Sequence, residues 1–575
     1  MDKNTVIAFF LIALVIFLWP LYMEYVSPPK PAPEPATRST TTTTPKQFET
    51  VQQPERTPSI TDIPITAESQ AVGSLPNSSE KILTVDHPLY QAVISNVNGG
   101  AITSFYLKRY QKYDSTQVEL ISAENSSNLL ISFVSALDGN HLDLNNIWSF
   151  DGAQTTYSVD GEPLKLTFYT YYNERRIEKT LLFSPDTYQI DININLAAIS
   201  DYISQGLYSL HWAGGLPVTE KNLKDDLTYF KGYAYLGDDL HTPKAKAELK
   251  MERLIGQTNW VAIRTKYFVV ALIPDHAAPS AEIGGYSTNS NKVKRNVFSV
   301  GLHRSASEPS NTKLYLGPLE YKRVKAMGVN LDRIMNFGWS FIRPIAKGVL
   351  YLLTKMHQSI PNYGIVLIIF SVMVKILVYP LTKKSHTSAK EMQAVQPLVT
   401  ELKEKYKNNP QKLNQATMAL YKEHGVNPLG GCLPLLLQMP LLISLFQVFR
   451  STIELRGAYF FGWITDLSSP DTIFYLPFTI PLYGDQVSVL PIIMGASMFI
   501  QQKMMPTQAS GQQKYMSYFM TGFFVLLFNN FPSGLNLYYT LFNVLTILQQ
   551  KYLTPQQQPV VAQPKPAKKS RKGRK

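Results

Sequence analysis

GIVLIIFSVMVKILVYPLT, at residues 364–382, has the length and apolar content of a membrane-spanning helix, yet it contains one full charge, Lys375. A lysine at the centre of a spanning helix costs about 2.5–3.5 kcal/mol on insertion scales, so a cation there indicates a function. Ser371 precedes Lys375 by one helical turn, and the two residues share a face of the helix. We therefore expect a polar stripe that other parts of the chain must face.

The composition divides the chain into two unlike halves. The chain has 575 residues and a net charge of +13; residues 25–325 are polar and strand-like, whereas residues 360–553 contain long apolar runs. The one cysteine, Cys432, lies in an apolar run, so the polar half is not a disulfide scaffold. The basic surplus leaves nucleic acid, anionic lipid and membrane topology as candidate explanations, and its placement along the chain distinguishes them.

The N-terminal region predicts an anchor followed by a tether. Residues 5–23 are apolar and long enough to span a bilayer, and no A-x-A-like cleavage site follows them, which favours a transmembrane anchor (1–24) over a cleaved signal peptide. Residues 25–70 are rich in Pro, Thr, Ser and Gln and predict a disordered linker.

Residues 71–325 predict a large β-sandwich domain. Alternating runs such as LKLTFYTYY and YQIDININL are separated by the turn sequences NGG, DGN, DGE and SPD. Four scattered histidines form no metal-binding or catalytic spacing, and we interpret them as ordinary surface or core residues. They are His87, His141, His211 and His241.

Residues 326–359 predict an amphipathic helix in the plane of the membrane interface, kinked at Pro344; a soluble core helix is the alternative. Five further spans are predicted between residues 360 and 553. Their ranges are 361–381, 429–449, 487–505, 515–531 and 534–553. Between the first two of these lies a helical hairpin, 383–427, with eight lysines against four glutamates, joined at Asn408-Asn409-Pro410.

The anchor and the five further spans make six, and the placement of charges predicts their orientation. The lysine-rich hairpin and the basic tail 554–575 fall on one side of the membrane, and the β domain falls on the other with the loop 451–486. By the positive-inside rule, the basic side and both termini are cytoplasmic. The β domain is then periplasmic in a Gram-negative cell, and the basic surplus is largely a topology signal.

Spans three to six contain many hydrogen-bonding side chains. They are Gln438, Gln447, Ser497, Gln501, Thr521, Asn529, Asn530, Asn536, Tyr538, Tyr539, Thr540, Asn543 and Thr546. Grouped around Lys375, they predict a wet cavity. Two alternatives remain open: such residues also hold helices together, and Lys375 can reach the headgroups by extending its side chain. No acidic residue lies in spans two to six, so we expect Lys375 to attract acidic or polar segments rather than to relay protons.

Two other functional classes use the same residues. A lysine can activate a serine, so Ser371 and Lys375 also fit a Ser/Lys hydrolase, although no oxyanion device is evident. A polar cavity also fits a small-solute channel or transporter, although no inverted repeat is obvious. The chain lacks a G-x-x-x-x-G-K-[ST] loop, so it does not look like an ATPase.

Three stretches resemble the YidC/Oxa/Alb family of membrane protein insertases. They are NPLGGCLPLLLQMPLLISLF (427–446), VYPLTKKSHTSAKEMQAVQP (378–397) and FPSGLNLYYTLFNVLTILQQ (531–550). The resemblance extends over nearly the whole chain, in the Gram-negative form with a large periplasmic β-sandwich. It implies a five-helix core with a hydrophilic groove open to the cytoplasm and to lipid. Nascent membrane proteins are the implied substrates, no cofactor or nucleotide hydrolysis is expected, and the Sec translocon is an implied partner.

The resemblance also implies the substrate-contacting residues. Lys375 matches the positive residue of the groove, where many bacterial members have arginine, Ser371 matches a small hydroxyl position, and Tyr539 matches a substrate-contacting aromatic. Gln438 and Asn543 are predicted to line the same groove, with no catalytic or metal-binding residue.

The basic tail has two open interpretations. Extended basic tails in this family are associated with ribosome binding, and attraction to anionic lipid explains the same charges. The tail cations are Lys568, Lys569, Arg571, Lys572, Arg574 and Lys575.

Overall fold

The computed structural model describes residues 70–71, 79–121, 128–290, 293–426, 433–504 and 511–553. The predicted anchor, nearly all of the linker and the basic tail lie outside these residues, as does Cys432. The chain forms two compact units that meet in sequence between Ile334 and Met335.

The first unit is rich in β-structure, as the alternating sequence predicts. Its strands in chain order are β1 (Gln70–Ala71), β2 (Ile82–Asp86), β3 (Tyr90–Ser95), β4 (Ala101–Gln111), β5 (Gln117–Glu119), β6 (Asn128–Ser135), β7 (His141–Asp143), β8 (Ser149–Phe150), β9 (Thr156–Ser158), β10 (Leu164–Tyr172), β11 (Arg175–Phe183), β12 (Gln189–Asn195), β13 (Ile203–Trp212), β14 (Lys231–Leu236), β15 (Asp239–His241), β16 (Met251–Arg264), β17 (Phe268–Pro274), β18 (Ala278–Ser290), β19 (Val293–Ser305) and β20 (Ser310–Pro318). Two short helices, α1 (Leu223–Leu227) and α2 (Tyr321–Ala326), and two 3-10 turns, Ala197–Tyr202 and Leu331–Ile334, complete it.

These strands form two sheets. The 15-stranded sheet has the order β1-β7-β6-β13-β19-β18-β16-β17-β20-β12-β11-β10-β8, with β14 and β15 attached beside β16, and the 5-stranded sheet has the order β5-β4-β3-β2-β9. The sheets contact each other through Asn128, whose side chain accepts a hydrogen bond from the Ile102 amide (2.8 Å) and donates one to the Ile102 carbonyl (2.7 Å). The side-chain amide of Asn128 thereby replaces a strand pairing at the junction of the two sheets.

Lys179 occupies a core position of β11. It follows the inward alternation of Ile177 and Leu181 and is fully buried. Its ammonium donates to the carbonyl oxygens of Asn98 (2.9 Å) and Leu129 (2.7 Å), two residues with left-handed φ angles of 56° and 55°. Lys179 thus satisfies two carbonyls at positions of left-handed backbone, one of them within β6.

We expect the stability of the β-rich unit to rise with pH because of Lys179. Burial lowers the pKa of Lys179 to about 7 from its ordinary value of 10.5. Between about pH 7 and pH 10 the unfolded chain therefore binds more protons than the folded chain, which makes the free energy of unfolding increase with pH. Urea unfolding at pH 7 and pH 9.5, followed by the fluorescence of the buried Trp148, Trp212 and Trp260, measures this slope.

The matched variant is Lys179→Met, which keeps the length of the side chain and removes the titrating group. Its unfolding free energy should change less with pH than that of the parent protein over the same interval. Equal slopes in the two proteins would contradict a buried, titrating Lys179.

The second unit is mainly helical. Its elements are α3 (Arg343–His357), α4 (Tyr363–Ala394), α5 (Gln396–Lys405), α6 (Pro410–Glu423), α7 (Leu433–Ser451), a 3-10 turn (Ile453–Leu455), β21 (Thr472–Ile480), β22 (Gly484–Ser488), α8 (Val489–Met504), α9 (Gly511–Phe528), α10 (Ser533–Leu548) and a π turn (Gln549–Leu553). Helix α10 packs against α4 on one side and α8 on another, and α3 packs against α7.

The predicted interfacial helix 326–359 is shorter than expected. Helix α3 begins at Arg343, with Pro344 in its first turn, so the predicted kink is wrong. Proline is favoured there because the first amides of a helix have no partner within it. Helix α3 buries one face, with Val349 and Leu353 buried and Tyr351 exposed, but Ile345, which the helical spacing predicted on the buried face, is 38% exposed.

Helix lengths support only part of the predicted span count. Among the described residues one helical segment, Tyr363–Pro380, is long and apolar enough to cross a bilayer, and Tyr518–Phe528 is a shorter apolar helix. Helix α4 has 32 residues and extends beyond the C-terminal end of the predicted span 361–381. Pro380 lies inside the helix. Helices α7, α8, α9 and α10 overlap the other four predicted spans, but the count of six is not confirmed, and the anchor lies outside the described residues.

Candidate functional site

Lys375 lies on α4 against α10. Its ammonium donates to the Thr546 hydroxyl (2.7 Å) and lies 4.4 Å from the centre of the Phe542 ring, and the residue is 8% exposed. The Thr546 hydroxyl in turn donates to the Phe542 carbonyl (2.7 Å), which leaves its oxygen free to accept from Lys375. A hydroxyl and an aromatic face therefore replace part of the water that an ammonium loses on burial.

Helix α10 presents a polar stripe to its neighbours. Asn536, Thr540, Asn543 and Thr546 recur at helical spacing and are buried. Asn543 donates to the Ser497 hydroxyl of α8 (3.1 Å), so the stripe joins α10 to α8 as well as to α4. The sequence predicts that these residues line a cavity; in this structure Thr546 bonds α10 to α4, and Asn543 bonds α10 to α8.

Ser371, the predicted hydroxyl of the groove, lies on the same helix as Lys375. Ser371 is fully buried one turn before Lys375, and its hydroxyl donates to the Leu367 carbonyl of its own helix (2.7 Å). A nucleophilic serine would give that proton to a base, so the geometry does not support a Ser/Lys hydrolase.

Tyr539 and Gln438 are both half-buried. The Tyr539 ring packs edge-on against Tyr538 (5.4 Å between centroids) and Phe528 (5.8 Å), and its hydroxyl is enclosed without a hydrogen-bond partner among the described residues. Gln438 lies on α7 and takes no part in the described bonds from Lys375 to Thr546 and from Asn543 to Ser497. The tail cations from Lys568 to Lys575 lie outside the described residues.

Asn529 and Asn530 lie at the base of the β21–β22 hairpin. They follow the end of α9 and bind the β21–β22 hairpin: Asn529 accepts from the Ser488 amide (3.0 Å) and donates to the Gln486 carbonyl (2.6 Å), and Asn530 donates to the Leu482 carbonyl (2.9 Å). This connection explains their polarity, and their described bonds go to the hairpin rather than to Lys375, around which the sequence predicted them.

The same hairpin is tied to α8 by an acidic residue of the loop 451–486, Asp471. The buried carboxylate of Asp471 accepts hydrogen bonds from the amides of Val489 (3.1 Å) and Leu490 (2.8 Å) and from the Trp463 indole (3.1 Å). It caps the N-terminus of α8, where a negative charge is favourable. Asp471 precedes α8 by 18 residues, with the β21–β22 hairpin between them, so no local capping signal in the sequence identifies it.

Comparison with known proteins covers both units. A family model described as 60Kd inner membrane protein matches residues 355–559, and one described as YidC periplasmic domain matches residues 82–351. The chain is similar to Membrane protein insertase YidC of Chloroherpeton thalassium, with 36% identity over 592 residues and 100% of each chain covered. It is also similar to the protein of the same name in Chlorobium luteolum, with 36% identity over 566 residues, 96% of this chain and 95% of that one.

One solved structure is similar over much of the length. It is described as an active YidC insertase crystal structure with the first transmembrane domain resolved, and it covers 83% of this chain and 93% of its own, with 17% identity and a TM-score of 0.35. The sequence identity to the two full-length relatives, 36%, is about twice the identity to this solved structure, 17%.

Proposed function

Because this chain belongs to the YidC family of membrane protein insertases, we propose that it moves hydrophobic segments of newly made proteins into the inner membrane and acts as their chaperone. The observation that supports a role for the helical unit is the buried lysine that α4 presents to the polar stripe of α10. A lysine without a carboxylate partner in the predicted spans is costly in a membrane protein, which favours a function over a purely structural role.

The proposed mechanism uses exchange of hydrogen-bond partners. An apolar nascent helix moves along the helical unit beside α4 and α10, while its short polar flank enters between them. An acidic group of that flank replaces Thr546 at the ammonium of Lys375, because a charge-assisted bond to a carboxylate is stronger than a bond to a neutral hydroxyl. Burial of the apolar segment in lipid then drives release, and no nucleotide is hydrolysed.

The proposal includes the membrane arrangement predicted from the sequence. Six spans place both termini and the lysine-rich hairpin in the cytoplasm, and the β-rich unit lies in the periplasm. Nascent membrane proteins, the lipid bilayer and the Sec translocon are the proposed partners, and the basic tail contacts the ribosome or anionic lipid.

Reconstitution of the purified full-length chain tests the function. Liposomes that contain the protein should insert a short single-span substrate, so that its apolar segment becomes resistant to protease without added nucleotide; empty liposomes and liposomes with heat-denatured protein are the controls. Conduction of small solutes without insertion would instead identify a channel or transporter, and no insertion above the empty liposomes would refute the proposal.

A further inference from the structure

The β21–β22 hairpin exposes apolar side chains on both of its faces. Successive strand residues point to opposite faces, yet the neighbours Phe474 and Tyr475 are 50% and 54% exposed, and Ile473 and Phe478 are also 52% and 60% exposed. A strand at the surface of a soluble domain normally buries one face and turns polar residues to water on the other. A strand that exposes apolar side chains on both faces, as β21 does, fits an apolar surrounding instead.

The base of the hairpin is fixed to the helices. Asp471 binds the first amides of α8, and the side chains of Asn529 and Asn530 bind Ser488 and Leu482. The hairpin therefore starts where α8 begins and where α9 leads into α10, at the level where the predicted spans end. Strand β21 has 9 residues. At about 3.3 Å per residue it reaches roughly 30 Å from this base.

The residues around the hairpin fit the membrane boundary on the side opposite the lysine-rich hairpin. Residues 457–502 contain no lysine or arginine and three aspartates, and exposed aromatic side chains precede the hairpin in the chain at Tyr459, Phe461 and Trp463. Amphipathic aromatic rings concentrate at the boundary between the bilayer and water. Pro477 and Pro481 interrupt the backbone donors of the ribbon, which disfavours the addition of a strand from another protein.

We infer that the β21–β22 hairpin is an interfacial membrane anchor: Phe474, Phe478 and their neighbours enter the boundary of the lipid leaflet opposite the lysine-rich hairpin. The occupant of this surface is phospholipid at the level of the glycerol and upper acyl chains. Through Asp471 and Asn529 the hairpin fixes the depth at which α8 and α10 lie in the bilayer, and thereby the depth of the Lys375–Thr546 pair. The inference rests on the proposed membrane arrangement but not on insertion activity.

Spin labels on the full chain in phosphatidylethanolamine and phosphatidylglycerol vesicles test this location. In a Cys432→Ser background, Phe478→Cys carries the label, Leu137→Cys supplies a water-exposed control in the β-rich unit, and Ile500→Cys supplies a lipid-exposed control on α8. Leu137 and Ile500 are 67% and 50% exposed. The label at 478 should be relaxed strongly by oxygen and weakly by a water-soluble nickel complex, as at 500, whereas the label at 137 should show the reverse.

Each other outcome refutes a defined part of the inference. If the label at 478 behaves as the label at 137, the hairpin lies in water; if it is shielded from both oxygen and nickel, protein covers it. Either result overturns the anchor while the label at 500 still reports lipid. If the label at 500 is also exposed to nickel, the membrane arrangement itself fails, and the anchor fails with it.

Discussion

Substitution of Lys375 by methionine should reduce the insertion of substrates with acidic flanks by about tenfold or more, which corresponds to about 1.4 kcal/mol or more of lost interaction. Methionine keeps much of the side-chain length and removes the charge that would attract the flank. Lys375→Arg should retain most of the activity, because the charge remains. Protease protection in reconstituted liposomes measures both variants, with paired substrates that differ only in Asp against Asn in the flank.

The Lys375–Thr546 bond offers a control that separates charge from structure. If Lys375 serves only to hold α4 against α10, then Thr546→Val should cause the same loss as Lys375→Met, because it removes the acceptor and keeps the shape. If the charge serves the substrate, Thr546→Val should insert acidic-flanked substrates at least as well as the parent protein. Equal loss with Asp and Asn substrates in Lys375→Met would contradict the electrostatic role.

Substitution of Gly534 by valine should strongly destabilise the helical unit. A Cβ at this position would lie 2.3 Å from the Phe449 ring and 3.0 Å from the Leu467 carbonyl oxygen, so α10 would have to move away from α7. Overpacking of this kind costs about 1–3 kcal/mol. The movement should also carry Thr546 and Asn543 away from α4 and α8. Thermal unfolding in detergent and the yield of monodisperse protein measure the effect.

Gly522 provides the matched control for this substitution. It also lies in an apolar helix, α9, but a Cβ there meets no atom within 4 Å. Gly522→Val therefore makes the same chemical change without the clash, and its melting temperature should lie close to that of the parent protein. A similar loss of stability in both variants would mean that glycine itself, rather than the contact with Phe449, is required.

The sequence predicted the parts of the fold that depend on periodicity and motif. Alternating runs predicted the β-rich unit, and the Asn408-Asn409-Pro410 sequence predicted the joint between α5 and α6, where Asn409 accepts from the Lys412 amide. The insertase motifs predicted the family and function that the full-length relatives confirm. These signals are local, so a single sequence contains them.

The sequence could not predict the contacts that depend on distant partners. Lys179 has the same alternation as its apolar neighbours, but a lysine there would ordinarily be assigned to solvent, because its two carbonyl partners lie 81 and 50 residues away. Asn529 and Asn530 border an apolar run, so the sequence predicts a cavity there, whereas the hairpin residues they bind lie 41 and 48 positions earlier in the chain. Polar side chains show a need for partners without showing which partners meet it.

The order in which a ribosome makes this chain gives the Lys375–Thr546 bond a further consequence. The two residues are 171 positions apart. At about 5–20 residues per second, roughly 9–34 s of translation separate them. During that time α4 holds an ammonium whose hydroxyl partner has not been made, in a segment that must already enter lipid. Until its last helix emerges, a newly made copy therefore carries an unpartnered charge into the membrane. It is then itself a substrate of the kind that the finished protein inserts.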